Sequence, residues 1–250
     1  MNAVKTLALA CLSCALCACA GSPDSDPEGT QAAGELYREA KAALDRENYE
    51  IAVEKYETLE ARFPFGRFAL QAQLESAYAY YKSSEPDAAI SNADRFIKLH
   101  PQHPNIAYAY YLKGLANFDR GASFLDSFLP RQPSDNDPSP LQRSFDDFAV
   151  VVQNYPGSRY AQDARQRMVY LRNELAKHEL KVASYYMRRG AYVAAANRAK
   201  FVLDNLPGAE STPDALVTMV KAYRELGLND LASDTLRILQ ANYPDQASAL

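Results

Sequence analysis

Few residues in this chain could do covalent or metal chemistry. Its 250 residues include three histidines, four cysteines and no tryptophan. His100 and His103, in His100-Pro101-Gln102-His103, have the spacing of two metal ligands. No third ligand is near in sequence, so the end of one structural unit followed by a turn explains them better. His178 falls on an apolar helical seam and reads as a packed or partner-facing residue rather than a catalyst. All four cysteines lie at or before position 19, which leaves no disulfide framework and no cysteine metal site in the remainder. A Cys–His or Ser–His nucleophile therefore has little material. Acidic residues are plentiful but fall on solvated helix faces, and there is no glycine-rich phosphate loop. The expectation is no catalytic residue, no metal and no cofactor. The formal charge of −4 also argues against nucleic acid as a main partner, since phosphate binding needs a basic face.

What remains is aromatic and cationic surface. The chain has 17 Tyr and 10 Phe. Ala77-Tyr78-Ala79-Tyr80-Tyr81 recurs thirty residues on as Ala107-Tyr108-Ala109-Tyr110-Tyr111. Tyrosines at i, i+2 and i+3 cannot share one helical face, so some pack between helices. Others can line a groove for an extended peptide through ring contact and hydroxyl bonding, and Phe65, Phe68, Tyr80 and Tyr110 are the candidates. Arg188, Arg189 and Arg198 sit around a turn and are candidate contacts for an acidic partner surface.

The elements that hold these residues follow one pattern. Count back from Pro64, Pro101, Pro156, Pro207 and Pro244. Twelve residues before each stands Ala52, Ala89, Ser144, Ala195 or Ala232. Eight before stands Tyr56, Ala93, Phe148, Ala199 or Leu236, and five before stands Leu59, Phe96, Val151, Val202 or Leu239. Phe63, His100, Tyr155, Leu206 and Tyr243 come directly before the prolines. Steps of four, three and four put all these positions on one helical face. Proline cannot extend a helix and biases the residue before it away from the α region. Five such copies predict an all-α repeat array, a superhelical solenoid of about five helix pairs.

Residues 1–18 have the form of a targeting segment. Lys5 is the only charge before Cys19, and the apolar run from Thr6 to Ala18 is too short for a membrane-spanning stop. It ends in Leu16-Cys17-Ala18-Cys19, which resembles a bacterial lipobox with Cys19 as the lipidated residue. The implied covalent group is a diacylglycerol and an N-acyl chain on Cys19. Ala20 follows; the absence of Asp there favours the outer membrane, with the chain facing the periplasm. Residues 19–33 then read as a lipidated, polar tether.

Within the array, residues 34–118 hold two pairs and the first helix of a third. Residues 119–140 are an insertion, rich in Pro yet carrying Phe124, Leu125, Phe128 and Leu129. Residues 141–244 complete the third pair and add a fourth and fifth, and 245–250 are a tail. From Ser158, a candidate N-cap, no Gly or Pro occurs until Gly190. Ala161, Ala164, Met168, Leu171, Leu175, His178, Val182 and Tyr185 form a seam there. It fits one long helix, two helices in line, or a coiled coil.

Two helices per unit, a small residue at fixed places and a closing proline resemble tetratricopeptide repeats. With the lipobox, the tether and the insertion, two stretches narrow the resemblance. They are Ala61-Arg62-Phe63-Pro64-Phe65-Gly66 and Val182-Ala183-Ser184-Tyr185-Tyr186, the latter followed by Arg189-Gly190-Ala191-Tyr192-Val193-Ala194-Ala195-Ala196-Asn197-Arg198. The chain is similar over essentially its whole length to the BamD, or ComL, family. That resemblance implies a non-catalytic scaffold of the outer-membrane β-barrel assembly machinery. It implies the periplasmic domains of BamA as partner of the C-terminal repeats, another lipoprotein such as BamC along the chain, and unfolded barrel substrates at the N-terminal repeats. The rivals are a repeat lipoprotein of pilus or secretin machinery, expected to lack the insertion, and a cell-wall enzyme or its anchored activator, expected to show a cleft of convergent polar groups.

Overall fold

A computed structural model describes residues 27–120, 137–248 and 250. The leader, Cys19 and the apolar part of the insertion, Phe124 to Leu129, lie outside the described residues. Among those described, eleven helices follow in order. They are α1 Pro27–Asp45, α2 Tyr49–Arg62, α3 Arg67–Lys82, α4 Pro86–Leu99, α5 Ile106–Arg120, α6 Ser139–Asn154, α7 Ala161–Arg188, α8 Tyr192–Asn205, α9 Thr212–Glu225, α10 Asn229–Asn242 and α11 Pro244–Ala247. Each packs mainly on its sequence neighbours, and the first helices of successive pairs also touch, α1 on α3, α3 on α5 and α7 on α9. The result is an all-α solenoid whose inner layer is made of first helices.

The proline ladder produces the second helix of every pair. At the small position Ala52, Ala89, Ser144 and Ala195 have no exposure, and Ala232 is buried. Leu59, Phe96, Val151, Val202 and Leu239 are fully buried. Leu236, in the last pair, is only half-buried, because no further repeat covers it. The residue before each proline has φ between −142° and −125° and ψ between 52° and 66°. That is the conformation outside the α region that a following proline enforces. Its N–H still donates to the carbonyl four residues back, at 2.7–3.1 Å, so the last turn closes before the chain leaves.

The turns inside the pairs share a second device. Glu47, Ser84, Gly190 and Gly227 stand at φ 61°, 63°, 71° and 71°. In each, the next residue's N–H reaches five residues back: Asn48 to Ala43, Glu85 to Tyr80, Ala191 to Tyr186 and Leu228 to Tyr223. With the inner bond from the left-handed residue itself, this is the Schellman closure of a helix.

Three boundaries differ from the sequence reading, and one that it left open is decided. Helix α1 begins at Pro27, inside the stretch read as tether, and buries Ala33. The run after Ser158 is one helix of 28 residues, about 42 Å long. Ser158 is not its N-cap; its hydroxyl accepts from the N–H of Tyr160 in the preceding turn, at 3.1 Å. The last proline does not end the structure but starts α11. The seam on α7 is buried at Ala161, Ala164, Leu171 and Leu175, half-buried at Met168, and reaches the surface at Tyr185. It is an internal packing stripe rather than a coiled-coil face.

The third pair has a polar lining. Gly114 lets the Phe148 ring lie against the backbone of α5; a Cβ there would sit 2.7 Å from that ring. The Ser144 hydroxyl donates to the Gly114 carbonyl at 2.8 Å. Lys113 pairs with Asp94 and Asp147, and Asn117 donates to Asp147 at 2.9 Å.

Candidate functional site

The inner layer carries a polar, aromatic cleft of about 260 Å³. One wall is α1 and α3, with Lys41, Gln71, Glu75 and Tyr78; the other is α5 and the turn before α7, with Tyr108, Arg159 and Tyr160. First helices line it because the solenoid curves around them. At its base the Glu75 carboxylate accepts from Tyr37 at 2.9 Å, from Gln71 at 2.9 Å and from Tyr56. Burial, together with this carboxylate, pushes both tyrosine hydroxyls well above their usual range. They stay protonated donors, and Glu75 is a structural acceptor rather than a free base. Cations stand on both sides. Lys41 pairs with Asp45 at 2.9 Å, and the Arg159 guanidinium lies 4.9 Å from the centre of the Tyr160 ring. The Tyr108 ring lies tilted beside Tyr160 at 5.2 Å, and Tyr111 stacks on Tyr160 at 4.9 Å. Such a cleft can hold an extended chain by ring contact and hydrogen bonding. It contains no nucleophile poised by a base.

The doubled tyrosine motif sorts by position. Tyr78 and Tyr108 line the cleft. Tyr81 and Tyr111 point forward along the array: Tyr81 is held by Asp119, and Tyr111 donates to Asp163 at 2.7 Å. Tyr80 and Tyr110, the groove candidates, are on neither path. Tyr80 reaches back to Glu57 on α2, and burial with that bond raises its hydroxyl to about 12. Tyr110 stacks on Tyr155 at 6.4 Å. Tyr80 and Tyr110 lie outside this cleft because a step of two from Tyr78 and Tyr108 moves a side chain by about 200° on a helix. The missed residues, Lys41, Tyr78, Tyr108 and Arg159, share one signal: each stands on, or just before, the first helix of its pair.

Phe65, in the α2–α3 loop, and Phe68, in the first turn of α3, belong to a different place. Phe65 is 91% exposed and borders two further clefts. Phe68 packs on Tyr37 at 5.5 Å and carries Arg67 over its face at 4.8 Å. Thus the four candidates do not form one groove.

The three arginines also separate. Arg188 donates to the Ser184 hydroxyl at 2.9 Å, and Arg189 caps α7; both are exposed. Arg198 lies further along α8, paired with Glu179 at 3.1 Å. Glu179 is nine residues before Arg188, about 14 Å along the helix. His100 and His103 flank Phe96 at 5.3 and 5.1 Å, and the His103 ring nitrogen Nδ1 accepts from the N–H of Asn105. They are turn-packing residues. Among the described residues no three acidic, His or Cys side chains converge as a metal site. No described helix is long and apolar enough to cross a membrane.

Stacked helix pairs that each pack mainly on their sequence neighbours define a helical-repeat protein. The comparisons narrow this. Residues 30–238 match the YfiO family, described as outer membrane lipoprotein, and the chain belongs to it. It is 45% identical over 244 residues to the outer membrane protein assembly factor BamD of Neisseria meningitidis serogroup A, covering 96% of this chain and 91% of that one. The BamD of Xylella fastidiosa is 42% identical over 84% of this chain and 72% of its own. That of Vibrio cholerae is 36% identical over 90% and 92%. The crystal structure of MamA protein is more distant, 18% identical over 88% of this chain and 95% of that one, with a TM-score of 0.37. The fold therefore rests on the helix pairing itself.

Proposed function

We propose that this chain is a lipid-anchored, non-catalytic scaffold in the assembly of outer-membrane β-barrel proteins. The observation that carries this is 45% identity over 96% of the chain to an outer membrane protein assembly factor. The array supports it, because a curved stack of helices offers broad binding surface without needing a reactive centre. Cys19 carries the acyl chains and holds the protein on the periplasmic face of the outer membrane, since several chains on one residue give stable anchoring. The C-terminal pairs, α7 to α10, hold the periplasmic domains of BamA, with BamC along the chain. The inner cleft and α1 to α4 face unfolded barrel substrates. No observation favours pilus, secretin or cell-wall machinery.

The test of the anchor is Cys19→Ala, which should release the protein from membranes; a mature wild-type protein without acyl groups on Cys19 by mass spectrometry overturns that part. The test of the partner is co-purification of BamA with two single variants. Arg198 is held by Glu179, so a variant on each side separates an outward contact from an internal one. Arg198→Ala should weaken BamA capture about tenfold, while Glu179→Ala should change it little. Equal loss in both, with helicity kept, would make the pair structural only.

A further inference from the structure

The α2–α3 loop holds an aromatic ring out of the protein by construction. Phe65 is 91% exposed, against 51% for Tyr185, 43% for Tyr170 and 41% for Phe201. It is not simply loose. Pro64 fixes the backbone on one side, and Gly66 on the other stands at φ 110° and ψ 173°, a conformation open in practice only to glycine. Two exposed cations flank the ring, Arg62 and Arg67; each lies over a neighbouring phenylalanine, and neither is ion-paired within the described residues. The 59% exposed Leu99 stands at the end of α4 and lines the adjoining cleft with Phe65.

The position of this loop is the second observation. Helices α1 and α2 are antiparallel, so the start of α1 lies beside the end of α2. Gly29, Thr30 and Ala33 share a cleft with Phe65 and Phe68, and a Cβ at Gly34 would touch the Phe68 ring at 3.3 Å. Only eight peptide steps separate Cys19 from Pro27, a reach of at most about 28 Å. Whatever holds Cys19 in a bilayer keeps Pro27, at the start of the helix that borders this loop, within that distance of the lipid surface.

We infer that the Phe65 loop is a membrane contact: the ring enters the phospholipid interface, and Arg62 and Arg67 engage headgroup phosphates. Aromatic side chains flanked by arginine suit this boundary, where the ring leaves water while the cations stay at phosphate level. The contact would set the tilt of the array on the membrane, which a lipid tether alone leaves free. This rests on the proposed anchor at Cys19.

The chain has no tryptophan, so Phe65→Trp installs a single fluorescent reporter. The acylated full-length protein would be reconstituted in vesicles of phosphatidylethanolamine with a quarter phosphatidylglycerol, with and without brominated acyl chains. Flotation reads the anchor, and quenching reads the loop. We expect flotation, with emission at Phe65→Trp quenched about twofold and Val193→Trp, exposed in the fourth pair, quenched by less than about a tenth. Adding Arg62→Glu and Arg67→Glu should remove most of the quenching without affecting flotation. Flotation with no quenching at Phe65→Trp overturns the contact while leaving the anchor intact. Failure to float overturns both. Protection of the indole that appears only with added BamA, and not with lipid alone, would assign the loop to a protein and overturn the contact.

Discussion

The first and fourth helix pairs share one backbone plan and differ in what fills it. Both close their first helix with a left-handed residue, Glu47 in one and Gly190 in the other. Both seat an alanine, Ala52 or Ala195, at the close approach. Around these common points the fourth pair is mainly aliphatic: Leu171, Leu175, Ala199 and Val202 join a continuous core, with Asn173 and Glu174 also buried on α7. The first pair instead buries Tyr56, whose hydroxyl is satisfied by Glu75, and leaves Phe65 in solvent. The geometry of the repeat thus needs small residues and a turn; the chemistry between them is free to vary.

The comparison can be broken most strongly through matched core truncations. Leu59→Ala and Leu171→Ala each empty a fully buried site and should cost roughly 2–5 kcal/mol in denaturant unfolding. Because repeats contact mainly their neighbours, hydrogen exchange should accelerate mainly in α1 to α3 for the first and in α6 to α9 for the second. Uniform acceleration along the chain in both would show one cooperative unit and erase the distinction.

A smaller effect separates polar from apolar filling. Tyr56→Phe leaves Glu75 without one donor and should cost about 1–3 kcal/mol, even though it removes a single oxygen. Retention of full stability would mean that water replaces the hydroxyl, and that the first pair is less sealed than its burial implies.

The turns test whether the shared plan carries different strain. Gly190→Ala meets no atom within 4 Å, so its cost is conformational alone, about 1–2 kcal/mol. Glu47→Gly should gain up to about 1 kcal/mol by relieving the same conformation in a residue with a Cβ. Melting shifts of the same sign would contradict the equivalence of the two turns.

The smallest expected effect is a pH slope. Burial raises the Glu60 carboxyl above its ordinary 4.5, more than Arg95 lowers it. The folded chain therefore keeps this proton to higher pH than the unfolded chain. Its contribution favours folding at acid pH and is lost as pH rises from 4.5 through the raised folded value. Glu60→Gln should flatten stability in that window and leave the pH dependence above it unchanged.

By itself the sequence determined the repeat, its five stops and the buried positions of each second helix. These are local: a period near 3.6 names a face, and proline ends a helix wherever it stands. Gly190 and Gly227 suit the left-handed turn because they lack a Cβ, whereas Glu47 and Ser84 take that conformation without glycine to announce it. Only the tertiary structure decided which tyrosine of each doublet lines the cleft, that α7 is one helix, and that Glu179 holds Arg198. Periodicity says which side chains point inward on a helix; it does not say how the next helix crosses it. Helix α1 shows the same limit at its start. Residues 27–33 are polar and small enough to read as tether, yet Ala33 is buried and Gly34 lies against Phe68. Those contacts come from α3, more than thirty residues away in the chain, and a local pattern cannot encode a surface that another helix supplies.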